Sequence, residues 1–290
     1  MKVKVYIVNS FTYQKKGGNP AGVVLNTSEL SDKQMQSIAK KINLSETAFV
    51  FKSDNDLGYK TRFFTPTKEV DLCGHATIAT AYLLKNKKII DVNRSEVIQD
   101  TKAGKLKIKF INSNMVLMEQ AKPRHIKKNI SLNEISKSLQ IDEKYIGIKN
   151  MKNPEIWTTG LKDILIPINS LEVLKKLKPD FELISDLSKK LGVVGMHIFY
   201  IQNKNKIWTR NFAPAFGINE ESATGTSNGA LGACLFNKMN MKDRYEFSSF
   251  QGHFMDKPSK IKVLVNKNGL NLDVFVGGES KIIKSKEIVI

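Results

Sequence analysis

The 290-residue chain is 41% hydrophobic and 26% charged, the balance of a folded chain and not of a disordered one. No apolar run approaches the roughly 20 residues that span a bilayer, so no membrane segment is expected. Lysines and arginines number 46 against 28 acidic residues, a net charge of +18. The lysines are dispersed and nowhere interleaved with aromatics, so a solvated basic surface that draws in anionic substrates is expected in place of a nucleic-acid face.

In chain order, Met1-Lys2-Val3-Lys4-Val5 alternates polar and apolar residues and reads as a strand, without the apolar core of a signal peptide. Ser31-Asp32-Lys33-Gln34 has capping-box spacing and opens an amphipathic helix to about Ile42. Tyr59-Thr61-Phe63, Leu106-Ile108-Phe110 and Ile207-Thr209-Asn211 keep the period of two of half-buried strands, and residues 181–191 form a further amphipathic helix. Ala76–Leu84 has little polar face and Gly229–Phe236 has none, so both are expected as buried helices. Asn268-Gly269, between two alternating runs, predicts a hairpin with a type I′ turn. The two cysteines, Cys73 and Cys234, lie in structured segments, which fits a reducing cytoplasm and no disulfide framework.

An internal repeat organises these elements. Arg62-Phe63-Phe64-Thr65-Pro66 precedes Cys73-Gly74-His75 and the first buried helix, and Arg210-Asn211-Phe212-Ala213-Pro214 precedes Thr224-Gly225-Thr226 and the second. Two similar lobes follow from this, and a cleft between lobes is the default ligand site. Glycine just before a helix leaves backbone N–H groups facing outward, an anion-binding arrangement suited to a carboxylate or a developing enolate. A tight turn is the competing reading for each glycine taken singly.

Glu46, in Asn43-Leu44-Ser45-Glu46-Thr47, lies between a helix and an apolar strand. By local pattern it reads more readily as a solvated loop carboxylate than as a functional one, although proton abstraction from carbon favours a carboxylate in an apolar setting. Gly17-Gly18-Asn19-Pro20 reads as a turn, with Asn19 available to donate to a substrate carboxylate. His75 lies in the first glycine turn; His125 and His197 suggest packing or surface roles. No pair of His, Cys or Asp has metal-ligand spacing, and no glycine-rich nucleotide motif is present.

Taken together, Gly18-Asn19-Pro20-Ala21-Gly22-Val23, Leu44-Ser45-Glu46-Thr47, Phe64-Thr65-Pro66, Glu69-Val70-Asp71-Leu72-Cys73-Gly74-His75-Ala76-Thr77, Ala223-Thr224-Gly225, Gln251-Gly252 and Pro258-Ser259 resemble the PhzF-like (phenazine biosynthesis) family. The resemblance implies an α+β, diaminopimelate epimerase-like fold of two pseudo-symmetric lobes, each a β-barrel-like sheet wrapped around a central helix. The N-terminal lobe would take residues 1–121, with 279–290 returning to it, and the C-terminal lobe 122–278. It implies a cytoplasmic, homodimeric, cofactor-independent isomerase acting on a small anionic carbon acid. Glu46 would be the catalytic glutamate, supported by His75 and Glu221, with Asn19, Cys73, Gly74, Gly225 and Thr226 binding substrate.

Two departures bear on the substrate. The family's aspartate in Glu-Asp-Pro-Ala-Thr-Gly is here Glu221, one methylene longer, and its Met-Gly-Arg-Pro-Ser is here Met255-Asp256-Lys257-Pro258-Ser259. The alternatives are a racemase or epimerase using Glu46 with Cys73, although Thr224 replaces the second thiol of the fold's two-cysteine epimerases, and a non-catalytic binding protein for small metabolites.

Overall fold

The alternation at the N-terminus folds as β1 (Lys2–Thr12), which pairs antiparallel with β2 (Asn19–Val24). Helix α1 (Asp32–Ile42) carries the chain across to β3 (Thr47–Lys52), parallel to β2. Ser31 caps α1: its hydroxyl accepts from the Gln34 N–H at 3.4 Å, and Gln34 Oε1 accepts from the Ser31 N–H at 2.9 Å. This reciprocal pairing satisfies two N–H groups the helix cannot bond itself. Next come β4 (Gly58–Phe64), the two-residue β5 (Glu69–Val70), α2 (Gly74–Asn86), and β6 (Glu96–Thr101), β7 (Gly104–Phe110) and β8 (Met115–Glu119) as an antiparallel meander.

The second stretch begins with β9 (Arg124–Ile126), α3 (Leu132–Leu139), β10 (Glu155–Thr158), β11 (Lys162–Pro167), α4 (Leu171–Lys176) and α5 (Phe181–Leu191). It continues through β12 (Gly195–Asn203), β13 (Lys206–Ala213), β14 (Ile218–Glu221), α6 (Gly225–Lys238), β15 (Arg244–Gln251), β16 (Ser259–Asn268) and β17 (Asn271–Val289). The architecture is α+β. This computed structural model describes residues 1–25, 27–52 and 58–290. It divides into unit 1, Met1–Glu119 with Gly277–Ile290, and unit 2, Gln120–Val276.

In unit 1 the strands close on themselves. β17 pairs with both β1 and β8, and the ring runs through β2, β3, β4, β6 and β7. Helix α2 fills the ring, packing on β1, β2, β3 and β8. Every residue from Ala76 to Leu84 is buried, which explains the missing polar face: a helix enclosed by sheet has no side turned to water. Helix α1 lies outside the ring, with Met35, Ile38 and Ile42 packed on Val3, Val5, Phe49 and Phe64.

In unit 2, α6 packs on β10, β11, β15 and β16, and Ser227 to Phe236 are all buried. A methyl group added at Gly232 would stand 2.6 Å from Val263 Cγ1 on β16. Gly232→Ala should therefore cost about 1–3 kcal/mol, read as a lowered urea midpoint with an unchanged slope. On the other face of the sheet, α3 and α5 bury Ile135, Leu139, Ile184 and Leu187 against Ile164, Ile198 and Phe212.

The repeated arginines are structural. Arg62 grips Glu69 with two hydrogen bonds, at 2.7 and 2.9 Å, and lies 5.2 Å over the Phe64 ring. Arg210 grips Glu220 at 2.9 and 2.7 Å and lies 5.0 Å over Phe212. Such bidentate pairs fix geometry as well as adding energy. Each ties down the short strand that delivers the chain to a buried helix four residues later. At the β16–β17 hairpin the turn differs from the sequence expectation. Strand β16 runs through Asn268, and of the pair only Gly269 takes a positive φ, +59°. The central residues are then Gly269 and Leu270, and a positive φ at the first alone fits type II′ and not type I′, which needs two.

Candidate active site

The first site begins at the N-terminus of α2. Cys73 is the N-cap residue in extended conformation and makes no side-chain capping bond. The first helical bond runs from the Thr77 N–H to the Cys73 carbonyl at 2.9 Å. The N–H groups of Gly74, His75 and Ala76 therefore have no partner within the helix, and the helix dipole adds partial positive charge there. The Ser10 hydroxyl on β1 donates to the His75 carbonyl at 2.8 Å and holds this first turn against the barrel.

His75 gathers the other groups. Its Nδ1 lies 3.4 Å from Asn19 Nδ2 and 3.4 Å from Cys73 Sγ, and its Nε2 lies 3.4 Å from Ser45 Oγ. Glu46 arrives from the opposite direction. Helix α1 ends in a left-handed Asn43, and the following residues lead into β3. The Glu46 carbonyl accepts from the Gly22 N–H at 3.1 Å, which locks its backbone to β2. Its Oε2 then lies 3.3 Å from His75 Nε2. That approach is close enough for ion pairing but lacks hydrogen-bond alignment, and among the described residues this buried oxygen has no hydrogen-bond partner. Burial pushes the His75 imidazole below its ordinary proton affinity, while Glu46 and the Pro20 carbonyl pull it partly back. At neutral pH the ring is therefore uncharged.

Unit 2 repeats the helix end with different side chains. Thr224 is the N-cap of α6, again without a side-chain capping bond. The Thr159 hydroxyl donates to the Thr226 carbonyl at 2.9 Å, as Ser10 does to His75. Gln251 braces the turn: its Nε2 donates to the Glu221 carbonyl at 2.8 Å and to Thr224 Oγ1 at 3.0 Å. Its Oε1 accepts from the Thr224 N–H at 3.3 Å and from Asn228 Nδ2 at 2.9 Å. The strand position that corresponds to Glu46 is Gly195. Thr47 pairs with Phe64 on β3 and β4, as Met196 pairs with Phe212 on β12 and β13. A side chain at Gly195 would place its Cβ 2.0 Å from the Phe212 carbonyl oxygen, so no carboxylate can stand there.

Below the α6 turn runs a buried polar chain. Ser227 Oγ donates to Asp163 Oδ2 at 2.7 Å, Asn211 Nδ2 lies 3.2 Å from Ser227 Oγ, and His197 Nδ1 lies 3.2 Å from Asn211 Nδ2. Burial raises the Asp163 carboxyl to about 7 against the opposing Ser227 bond. Burial also pushes His197 down to about 3. The Asn228 amide tempers this slightly, though without hydrogen-bond alignment, since His197 Nε2 and Asn228 Oδ1 both remain unpaired.

The structure thus brings Asn19, Glu46, Cys73, Gly74 and His75 together in unit 1, and sets Glu221, Gly225 and Thr226 at the α6 turn of unit 2. Sequence reasoning missed Ser10, Thr159 and the bracing role of Gln251. It also missed Asp163, whose one signal is a carboxylate at the mouth of the apolar run Ile164-Leu165-Ile166. His197 is a packed, buried side chain, whereas His125 stacks on Trp157 with ring centres 4.9 Å apart. Two surface cavities lie elsewhere. One of about 480 Å³ is lined by residues such as Met1, Tyr6 and Leu30, and one of about 390 Å³ by residues such as Lys122, Trp157 and Leu270. Neither includes a member of the Glu46 group.

Comparison with known proteins gives a consistent answer. The family model described as phenazine biosynthesis-like protein (PhzC-PhzF) matches residues 8–285. A protein named an uncharacterized isomerase, from Clostridium acetobutylicum, is 35% identical over 302 residues, covering 100% of this chain and 99% of its own. The crystal structure of a PhzF-family phenazine biosynthesis protein from Bacillus anthracis superimposes with a TM-score of 0.88 at 27% identity, covering 100% of both chains. A hydroxyproline epimerase from Agrobacterium vitis, with bound trans-4-hydroxy-L-proline, matches with a TM-score of 0.64 at 11% identity over 99% of this chain and 91% of its own. That likeness bears on the fold alone, which is of the epimerase type.

Proposed function

Because the chain belongs to the phenazine biosynthesis-like (PhzF) family, whose curated relatives are named isomerases, we propose that it moves a proton between two carbons of a small carboxylate, with Glu46 as the carrier and no cofactor. The observation that supports this reading is the buried Glu46 Oε2 without a hydrogen-bond partner, beside an uncapped helix N-terminus. Leaving a buried acceptor unpaired costs about 1–3 kcal/mol, a cost a proton-accepting group recovers when substrate arrives. In this reading the Gly74 and His75 N–H groups hold the substrate carboxylate or the charge that develops as the proton leaves. Neutral His75 orients Glu46 and is a positioning residue. Asn19 donates to the substrate. Gly225 and Thr226 offer a second anion-binding helix end in unit 2, and Glu221 sets the polarity there.

Geometry favours one carrier over two. A two-base racemase places its groups on opposite faces of a carbon, each about 3–3.5 Å away, hence roughly 6–7 Å apart. The ligating atoms of Glu46, Cys73 and His75 all lie within 4.8 Å of one another, and unit 2 has Gly195 where a second glutamate would stand. One group that takes and returns the proton serves a 1,3-shift on a single face.

The test is solvent deuterium incorporation, followed by NMR, across a panel of small carboxylates with an acidic C–H beside a double bond or carbonyl. Enzyme-dependent exchange at one carbon, with migration of the double bond, is the expected result. Saturable binding of panel members with no exchange at any carbon would replace the reading with that of a binding protein.

A further inference from the structure

Among the described residues, one group of ligating side chains is close enough to hold a metal ion: Glu46, Cys73 and His75. The spacing in sequence hides it, since Glu46 is remote from the Cys-x-His pair and reaches it only through the β2–β3 pairing. We infer that this trio is a binding site for a soft divalent cation of the zinc type, and that the ion shuts off the proton carrier by occupying its carboxylate. The inhibitory consequence rests on the reading of Glu46 given above; the binding does not.

The distances fit. With zinc bonds of about 2.0–2.3 Å, tetrahedral ligands stand roughly 3.3–3.8 Å apart. His75 Nε2 is 3.3 Å from Glu46 Oε2 and 3.9 Å from Cys73 Sγ, and all the ligating atoms lie within 4.8 Å of one another, so a shift of about 1 Å or less closes the site. The donor set of thiolate, imidazole and carboxylate is the mixture zinc and cobalt(II) accept, and hard cations such as magnesium do not. Charge balances as well: one thiolate and one carboxylate neutralise a dication, so the complex carries no net charge into a buried setting. Binding releases the thiol proton to solvent. With Nε2 on the metal the other ring nitrogen carries the proton, and the Pro20 carbonyl accepts from the ring, the kind of outer contact that fixes a ligating imidazole. Three protein ligands leave a fourth position open, for water or for the substrate carboxylate.

The experiment titrates chelator-stripped protein with cobalt(II). One equivalent should bind, with the near-ultraviolet charge-transfer band of a cobalt–thiolate bond and the visible bands of four-coordination. Zinc should displace it. Cys73→Ser should remove the charge-transfer band, and His75→Gln should weaken binding by roughly tenfold or more, whereas Cys234→Ser, in α6, should change nothing. No band in the wild type, or a band that survives Cys73→Ser, overturns the site. Deuterium exchange of the wild type should fall on adding zinc and return with chelator. Exchange that persists at saturating zinc overturns the shut-off. A bound metal with no exchange under any condition overturns the proton-carrier reading and leaves the metal site standing.

Discussion

Glu46→Gln should lower deuterium exchange and turnover by about 10²–10⁴-fold, the usual contribution of a positioned general base, while stability changes by less than about 1 kcal/mol. The two expectations have one origin. The Glu46 backbone is held by the Gly22 N–H, and its side-chain Oε2 makes no hydrogen bond that folding relies on. An amide of the same shape therefore keeps the loop and loses only the ability to accept a proton. His75→Gln should cost less in turnover, because His75 acts through Glu46, and should raise KM through its place in the anion-binding turn. Denaturant midpoints report the folds of both variants. Full exchange in Glu46→Gln would falsify the assignment and send the search for the carrier to Cys73, 3.4 Å from the same imidazole.

The second large effect concerns stability. In the folded chain Asp163 keeps its proton up to about pH 7, while its ordinary value is 3.8. Between those values the folded form holds a proton that the unfolded form has released. Stability therefore declines as pH rises from about 4 to 7, and stays at the lower level above 7. At 1.36 kcal/mol per unit the cost reaches about 4 kcal/mol. Asp163→Asn removes it, because the amide oxygen still accepts from Ser227 and no charge is buried. The variant should be more stable than wild type at pH 8 by a few kcal/mol and equal to it near pH 3.5, measured as urea midpoints across pH. Greater stability at the acid end instead would reverse the argument. His197 works in the other direction. Held neutral until about pH 3, it makes stability fall as pH drops below about 6.5, a limb that Asp163→Asn keeps.

How far the sequence reached follows from what each feature depends on. The strands, the α1 cap and the two buried helices depend on local periodicity and capping chemistry, and these were legible. The Cys73-Gly74-His75 turn was legible because its members are contiguous. Glu46 was not, by pattern alone: its nearness to His75 is a product of β2 lying parallel to β3, a pairing no local window contains, and the family resemblance supplied it. The Asp163–Ser227–Asn211–His197 chain draws one residue from each of four elements, so no spacing could have announced it. The arginine repeat was visible, but its meaning lay in Glu69 and Glu220, whose pairing needs the short strands β5 and β14 to be placed. The hairpin turn was misjudged by one position because Asn268 stays in the ladder.

The path of β17 sets an order of events during synthesis. Strand β1 pairs with β2 on one edge, and on the other with residues 279–289, from Lys2 opposite Val289 to Thr12 opposite Glu279. All of unit 2 is translated between β8 and that closing segment. At about 5–20 residues per second, the ring around α2 stays open for roughly 8–30 s after its other strands have left the ribosome. An unpaired strand edge is a template for wrong partners, so the nascent chain carries its greatest aggregation hazard then, with Glu46 and His75 already made but their barrel unsealed. Lys281, Lys284 and Lys286 on the closing segment are exposed, and lysines along a strand edge oppose pairing with wrong partners.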